Sequence, residues 1–213
     1  MKTAAPLPIR LRIDQRAPLE AHFLSLGSDD RRLRFGSTLA DESVREYVAR
    51  IDFDRDEIFA VTGDDLSHLG VVHIAFSEGA AELGMSVLPH VRGQGIGNAL
   101  FERAVMHLRN RDVGSVFVHC LAENQAMMHL ARKHDMRIVY SGGESEARLA
   151  LDPPTAESFV TEWLRDQRAH AAETMKSNAH FTRRFMSWFV PGSFAGVKPK
   201  RIGSNPEAWD RAI

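Results

Sequence analysis

A chain of 213 residues is long enough for one domain of ordinary size with an appendage. Hydrophobic residues make up 44% and charged residues 26% of the sequence, which excludes a disordered or collagen-like chain. The formal net charge of -1 gives the chain as a whole no electrostatic attraction to nucleic acid or to an anionic membrane.

The first part of the chain predicts two helices. Residues 1–16 form an N-terminal segment that lacks the apolar stretch of a signal peptide. Apolar residues at helical spacing predict helices over residues 17–27 and 43–51. Ser43 to Glu46 has the form of a capping box, which predicts that the second helix begins there.

The middle of the chain predicts strands followed by a helix. Residues 57–61 and 69–76 are rich in Val, Ile and Phe, and a Gly-Asp-Asp turn signal between them predicts a β-hairpin. A third strand is predicted over residues 82–88. The apolar stripe of residues 98–109 predicts a helix, and residues 115–121 predict the strand that follows it.

The last part predicts one more helix, two strands and an extension. The helix is predicted over residues 125–134, and the strands over residues 137–140 and 147–151. This order predicts an α/β domain with a partly antiparallel sheet, over residues 17–151. Composition changes after two prolines, so we predict a helical C-terminal extension over residues 152–213, with a polar helix to about residue 178 and then an aromatic and basic stretch.

A glycine-rich loop, Arg92-Gly93-Gln94-Gly95-Ile96-Gly97, lies between a predicted strand and a predicted helix. Glycines leave backbone N–H groups unobstructed at the positive end of the helix dipole, and such a loop binds pyrophosphate. A P-loop would need Lys and then Ser or Thr after the second glycine, which this chain lacks. A dinucleotide fingerprint would need a small residue where Asn98 or Leu100 stands. The pattern that remains is Arg or Gln, two residues, Gly, one residue, then Gly or Ala.

With this loop the sequence resembles the GNAT superfamily of N-acetyltransferases, in which such a loop holds the pyrophosphate of acetyl-CoA. Val87 and Pro89 precede the loop at the family's spacing, and Asn124 stands where the family places an Asn that opens a helix. The resemblance covers roughly residues 17–151 and is closest to the acetyltransferase domain of bacterial protein-lysine acetyltransferases. It implies an α/β, acyl-CoA N-acyltransferase fold with a mixed central sheet and flanking helices.

The resemblance also implies the activity and the donor site. The enzyme would transfer acetyl from acetyl-CoA, its acyl-donor substrate, to a primary amine on a protein lysine or a small molecule. The strands ending near Val87 and Leu121 would separate, so that pantetheine binds exposed backbone. The residues implied in cofactor binding are Met85, Val87, Arg92, Gly93, Gln94, Gly95, Ile96, Gly97, Asn98 and Asn124.

Acetyl transfer needs an unprotonated amine, a stabilised oxyanion and a route for the thiolate to leave. Glu82 stands at the position of the general base in the resembled domains, and the alternative is a solvated acid at a strand edge. A backbone N–H near Val87 can hold the oxyanion. Many family members carry a Tyr as acid where this chain has Ala131, but a thiol with a pKa of about 8.5 can leave without an obligatory donor.

Several other residues receive no catalytic role at this stage. His73 and His119 lie on predicted strands, where a lone histidine is more often structural. Cys120, the single cysteine, is predicted to be a small buried hydrophobe. Residues 29–35, with Arg34, resemble the acceptor-side loop of protein-lysine acetyltransferase domains, although a charged connector gives the same pattern.

The large apolar residues of the extension need a cover. Packing onto the domain is the simplest expectation, and a homodimer contact or a lid over the acceptor site is the alternative. These residues are Phe159, Trp163, Phe181, Phe185, Trp188 and Phe189.

We expect a cytoplasmic enzyme that has an amine acceptor and binds no nucleic acid, membrane or metal, since no Cys/His spacing indicates a zinc site and no apolar run reaches the length of a membrane span. The alternative from another class is an acetyl-CoA-binding regulatory or sensor module with little catalysis, which the missing Tyr motivates. A weaker alternative is nucleic-acid binding through Lys198, Lys200 and Arg201.

Overall fold

The structure, a computed structural model, describes residues 7–189, and for residues 183–189 it describes the backbone alone. His180 ends one compact unit, and the described part of the second unit is the helical segment 181–189. The basic residues considered for nucleic-acid binding, 198, 200 and 201, lie outside the described residues.

A seven-stranded mixed sheet forms the centre of the fold. Its strands lie in the order β1-β2-β3-β4-β5-β7-β6, and every neighbouring pair is antiparallel except the parallel pair β4 and β5. This sheet confirms the predicted α/β class. The strands are β1 Ile9–Arg10, β2 Glu57–Thr62, β3 His68–Ser77, β4 Ala80–Val87, β5 Ser115–Leu121, β6 Arg137–Ser141 and β7 Glu144–Ala150.

Six α-helices flank the sheet within the described residues, together with two single-turn 3-10 helices at Ile13–Gln15 and Pro89–Val91. The predicted helices over residues 17–27, 43–51, 98–109 and 125–134 are found with ends shifted by a few residues. The helices are α1 Arg16–Leu24, α2 Ser28–Phe35, α3 Asp41–Arg50, α4 Ile96–Asn110, α5 Gln125–Lys133 and α6 Ala156–Phe189.

Three local expectations differ from the structure. The predicted capping box at Ser43 is wrong, because α3 begins at Asp41 after Ala40 and no side chain caps it; two acidic residues in its first turn complement the helix dipole instead. The segment 29–35 is helical, as part of α2. The aromatic and basic stretch after residue 178 continues α6 to Phe189.

Helix α4 packs directly on the sheet because Gly70 of β3 carries no side chain. A Cβ at Gly70 would lie 2.6 Å from Ile96 and 3.1 Å from Leu100, both of which are buried. Burying a side chain of the size of Leu100 contributes about 1.5–3 kcal/mol. This close approach fixes the first turn of α4 beside the end of β4, where the glycine loop lies.

Helix α6 docks on the domain through charged side chains. Arg103 of α4 donates hydrogen bonds of 2.6 Å to Glu162 and to Asp166, whereas Phe159 and Trp163 are 50% and 60% exposed. The expectation that these two aromatic residues pack onto the domain is therefore wrong. No helix within residues 7–189 is long and apolar enough to cross a bilayer.

Candidate active site

Strands β4 and β5 form a cleft because they pair only over their first residues. Their parallel register consists of Ala80 with Ser115, Ala81 with Val116 and Glu82 with Phe117. Beyond Glu82 the two strands continue without pairing to Val87 and Leu121. The predicted separation of these strands is confirmed, and it leaves one edge of β4 open.

The backbone of β4 presents alternate residues to this open edge. Leu88 donates its N–H to Leu69 of β3, and the β3–β4 register is continuous, so even-numbered residues bond to β3. In an antiparallel ladder the intervening residues point their N–H and C=O groups the other way. The N–H groups of Met85 and Val87 therefore face the cleft, as required of backbone that binds pantetheine or an oxyanion.

The glycine loop forms an anion cradle at the first turn of α4. Gly93 and Gly95 have φ of +76° and +81°, a left-handed conformation that favours glycine. The first intrahelical bond runs from Ala99 N–H to the carbonyl of Gly95, so the N–H groups of residues 96–98 lack an intrahelical acceptor. These donors, together with the helix dipole, fit a bound pyrophosphate.

The side chains of the loop point elsewhere. Arg92 donates to Asp30 of α2 at 2.6 Å and to the carbonyl of Val87 at 3.2 Å. Asn98 donates to Glu102 at 2.7 Å, and Gln94 is exposed. The structure thus offers backbone from this loop to a ligand and uses the Arg92 side chain to join β4 to α2.

The opposite lip of the cleft is also joined to α2. Asn124 accepts a hydrogen bond from the N–H of Met127 at 3.1 Å, so it caps α5, as the family resemblance implies. Its amide donates to the carbonyl of Leu33 at 3.3 Å, and Arg32 forms an ion pair with Glu123. Helix α2 therefore bridges β4 and β5 where they separate. Both polar atoms of the Asn124 side chain already have protein partners.

Glu82 lies where the strands begin to separate, with its side chain 47% exposed. Its Oε1 is 3.7 Å from Nδ1 of His119, whose Nε2 is 2.9 Å from Glu146. Hydrogen bonds from Arg148 and His119 hold the pKa of Glu146 below its usual value. Sequence analysis missed His119 because its neighbours come from β4 and β7, and strand pairing of this kind is not visible in local sequence.

A second group of polar side chains lies on the same face of β4. Arg34 donates to the Tyr47 hydroxyl at 2.8 Å, and this hydroxyl is 2.7 Å from Nδ1 of His73. His73 Nε2 is 3.1 Å from Asp56. Burial, helped by the charge of Arg34, lowers the pKa of His73, so the imidazole is neutral at pH 7.

No proton donor stands at the position where many family members carry a tyrosine. Ala131 is buried in α5. Of the two tyrosines in the chain, Tyr140 lies with its hydroxyl 3.8 Å from Met128 Sδ, and Tyr47 lies near β4. Cys120 is half-buried, and burial raises the pKa of its thiol. Within the described residues no three His, Cys, Asp or Glu side chains group closely enough to hold a metal ion.

Comparison with known proteins finds a matching family model and solved structures of similar fold. Residues 20–136 match the model of the Acetyltransferase (GNAT) family. No curated protein matches the chain. The GNAT domain of S. lividans PAT is similar in structure, with a TM-score of 0.58, 17% identity, and coverage of 68% of this chain and 89% of that one.

Two further solved structures are similar over a comparable share of the chain. A GNAT-family acetyltransferase from Staphylococcus aureus Mu50 has a TM-score of 0.56 and 11% identity, covering 68% of this chain and 98% of that one. The ribosomal-protein-S18-alanine N-acetyltransferase from Escherichia coli has a TM-score of 0.51 and 16% identity, covering 70% and 94%. At these identities the similarity shows a shared fold.

Proposed function

Because the chain belongs to the GNAT family of acetyltransferases, we propose that it transfers the acetyl group of acetyl-CoA to a primary amine, with Glu82 as the general base. The observation that carries this proposal is the parting of β4 and β5 beyond Glu82, which opens onto the glycine cradle of α4. One cleft thereby joins a carboxylate, two inward-facing backbone N–H groups and a phosphate site.

The donor site uses backbone more than side chains. The N–H groups of residues 96–98 receive the pyrophosphate, with Gly93, Gln94 and Gly95 forming the turn. Gly97 lies in the first turn of α4, where a Cβ would make only an ordinary van der Waals contact with Val87, at 3.8 Å. Arg92 and Asn124 act as positioning residues, because their side chains hold α2 against the two lips.

Acetyl transfer in this cleft uses one proton acceptor and one oxyanion site. Glu82 takes the proton of the acceptor amine, directly or through a water, and the nitrogen then attacks the thioester carbonyl carbon. The N–H of Met85 or Val87 donates to the oxyanion that develops there. As the C–N bond forms, the C–S bond breaks, and the thiolate takes up a proton after it leaves.

The acceptor belongs to one of two classes in this proposal. The sequence pattern favours a protein lysine, and the polar group around Arg34 favours a small amine. Thiol release from acetyl-CoA, measured against lysine peptides, polyamines and amino acids, separates them. Turnover with one class supports the enzyme and names its acceptor, whereas tight acetyl-CoA binding without turnover on any acceptor supports the sensor module that the missing tyrosine motivates.

The exposed face of α6 supports a further part of the proposal, that the protein is a homodimer. Phe159 and Trp163 lie one helical turn apart and are exposed, next to the exposed Val160 and Leu164. Monomeric proteins rarely expose a contiguous apolar patch of this kind without a partner. The proposal also places the enzyme in the cytoplasm, which the unpaired Cys120 supports.

A further inference from the structure

Arg34 of α2 places its guanidinium group directly on strand β4. A Cβ built at Gly84 would lie 2.3 Å from Nη2 and 2.7 Å from Nη1 of Arg34. Only a glycine leaves room for the guanidinium at this point. Gly84 follows Glu82 by two residues and precedes Met85, so the guanidinium lies beside the part of β4 where acetyl transfer is proposed.

Aromatic rings surround this cation. Its Cζ is 4.8 Å from the ring centre of Phe35, 5.6 Å from that of Tyr47 and 5.7 Å from that of Phe23. Among the described residues no carboxylate forms a salt bridge with Arg34, and its single hydrogen bond goes to Tyr47. Other partly or fully buried arginines differ: Arg31 pairs with Asp41, and Arg103 pairs with two acids.

Two of its nitrogens have no hydrogen-bond partner among residues 7–182, whose side chains the structure describes. Nε is buried without a hydrogen-bond partner, and Nη1 has none among the described residues although it is not buried. The nearest acid in the hydrogen-bonded chain is Asp56, beyond Tyr47 and a neutral His73. A partly desolvated cation without a counter-ion costs free energy that a bound anion recovers.

We propose that Arg34 binds a carboxylate of the acceptor, so that the substrate is a small amino acid or amino-acid derivative. This inference rests on the proposed acetyl transfer. One guanidinium matches the single negative charge of a carboxylate, and arginine donors recognise carboxylates in the plane of the fork. The aromatic rings cover part of the guanidinium, and this partial desolvation strengthens the charge interaction.

The spacing along β4 sets the size of the acceptor. Glu82 and Gly84 are two residues apart on the same face of the strand, which places them about 7 Å apart. An amine that reaches Glu82 while its carboxylate reaches Arg34 therefore carries the two groups only a few bonds apart. During transfer the amine loses one proton to Glu82, the N–C bond forms and the C–S bond breaks, while the carboxylate stays unchanged.

Matched acceptors test this assignment. Each amino acid is assayed beside its carboxamide, which keeps the carbon skeleton and lacks the negative charge, in the wild type, in Arg34→Gln and in Arg50→Gln, an exposed arginine of α3. Rates are compared per unprotonated amine, because loss of the carboxylate lowers the pKa of the neighbouring amine. We expect at least one acid to exceed its amide by about tenfold in kcat/KM, as expected for a lost charged hydrogen bond. Arg34→Gln removes this preference through KM, and Arg50→Gln retains it.

A structural role of Arg34 gives a different result, since it lowers turnover of acid and amide equally. Equal use of acids and amides by the wild type overturns the assignment and leaves the proposed acetyl transfer intact. If acetyl-CoA binds but no acceptor releases thiol, the proposed function fails instead. In that case, calorimetric titration of the same acids and amides into the CoA-bound protein tests the carboxylate site by itself. Binding of an acid that is lost in Arg34→Gln supports the site. Equal binding of acids and amides overturns it.

Discussion

The carboxylate of Glu82 lies 3.7 Å from the imidazole of His119, at the last paired position before β4 and β5 separate. His119 in turn is 2.9 Å from Glu146 and 54% exposed. At 3.7 Å the two groups are just beyond hydrogen-bond distance, so a side-chain shift of about 1 Å is needed before a proton accepted by Glu82 can pass through His119 to the open face of β5 and β7. This path gives His119 a role that its isolated position in the sequence does not suggest.

His119→Asn interrupts this path. We expect kcat to fall by roughly tenfold, the order of a positioned proton-transfer group, with little change in acetyl-CoA binding. Thiol release from acetyl-CoA, compared between the wild type and His119→Asn, measures this change. An unchanged rate would show that the contact between Glu82 and His119 is structural.

Gly95→Ala strains the anion cradle. A non-glycine residue at its positive φ costs about 1–2 kcal/mol, so we expect the dissociation constant for acetyl-CoA, measured by calorimetry, to rise by about tenfold. Gly79→Ala is the matched control, because Gly79 also has a positive φ, of +68°, but lies in the β3–β4 turn. Equal loss of acetyl-CoA binding in both variants would mean that strain alone, rather than the cradle, is responsible.

Arg103→Met removes the cation that docks α6. Glu162 then keeps its hydrogen bonds to His107 and Asn110 but loses the guanidinium, so the free energy of unfolding should fall by about 1.5–3 kcal/mol, the value of a hydrogen bond to a charged group. Chemical denaturation measures this change. Glu157→Gln, an exposed acid in the first turn of the same helix, should change stability by less than about 0.5 kcal/mol. Similar values for the two variants would contradict the docking described for α6.

Stability should depend on pH through buried histidines on both sides of pH 6.5. Burial lowers the pKa of His22 and of His68 to about 4, so the unfolded chain binds more protons below pH 6.5 and stability falls from there toward pH 4. Burial alone would lower the pKa of His107, but hydrogen bonds to Glu162 and Glu57 outweigh it and raise the pKa. The stabilisation that His107 contributes to the folded state is fully present below pH 6.5 and is lost as the pH rises through that raised pKa.

The free energy of unfolding is therefore expected to reach a maximum near pH 6.5, and denaturation at a series of pH values measures it. His68→Leu should flatten the acid side of the curve, because His68 is buried and its ring nitrogens have no hydrogen-bond partner among the described residues. A curve that keeps rising below pH 6.5 would contradict the lowered pKa values.

Trp163→Glu tests the homodimer. A charge in the middle of the exposed face of α6 should convert a dimer to a monomer in analytical ultracentrifugation, while thermal stability at low concentration stays the same. Arg168→Glu, a charge reversal elsewhere on α6, is the control. A wild type that sediments as a monomer at every concentration would remove this part of the proposal.

Local sequence rules predicted the parts of the fold that depend on local chemistry. The glycine loop and most strands follow from turn residues and periodicity, the cap at Asn124 follows from the family resemblance, and the structure contains them. Strand β1 has only two residues and forms because Ile9 and Arg10 pair with β2. Its stability comes from residues about fifty positions away, so no local pattern indicates it.

The candidate site could be predicted only in part, because some of its contacts also join residues far apart in the sequence. Glu82 and the loop lie at motif positions, but Tyr47, His73 and His119 acquire neighbours only when α3 packs on β3 and β5 pairs with β7. For the described aromatic side chains of α6 the sequence predicted packing that the structure does not contain. Hydrophobicity suggested burial, whereas the charged face of α6 found buried partners in Arg103 and His107.

The most direct test of the account compares acetyl-CoA-dependent thiol release by the wild type, by Glu82→Gln and by Glu78→Gln, an exposed acid in the turn before β4. The account predicts turnover that falls by roughly tenfold or more in Glu82→Gln alone, with acetyl-CoA binding preserved in all three proteins. Full activity of Glu82→Gln would contradict its role as base, and failure of the wild type to bind acetyl-CoA would contradict the proposed function itself.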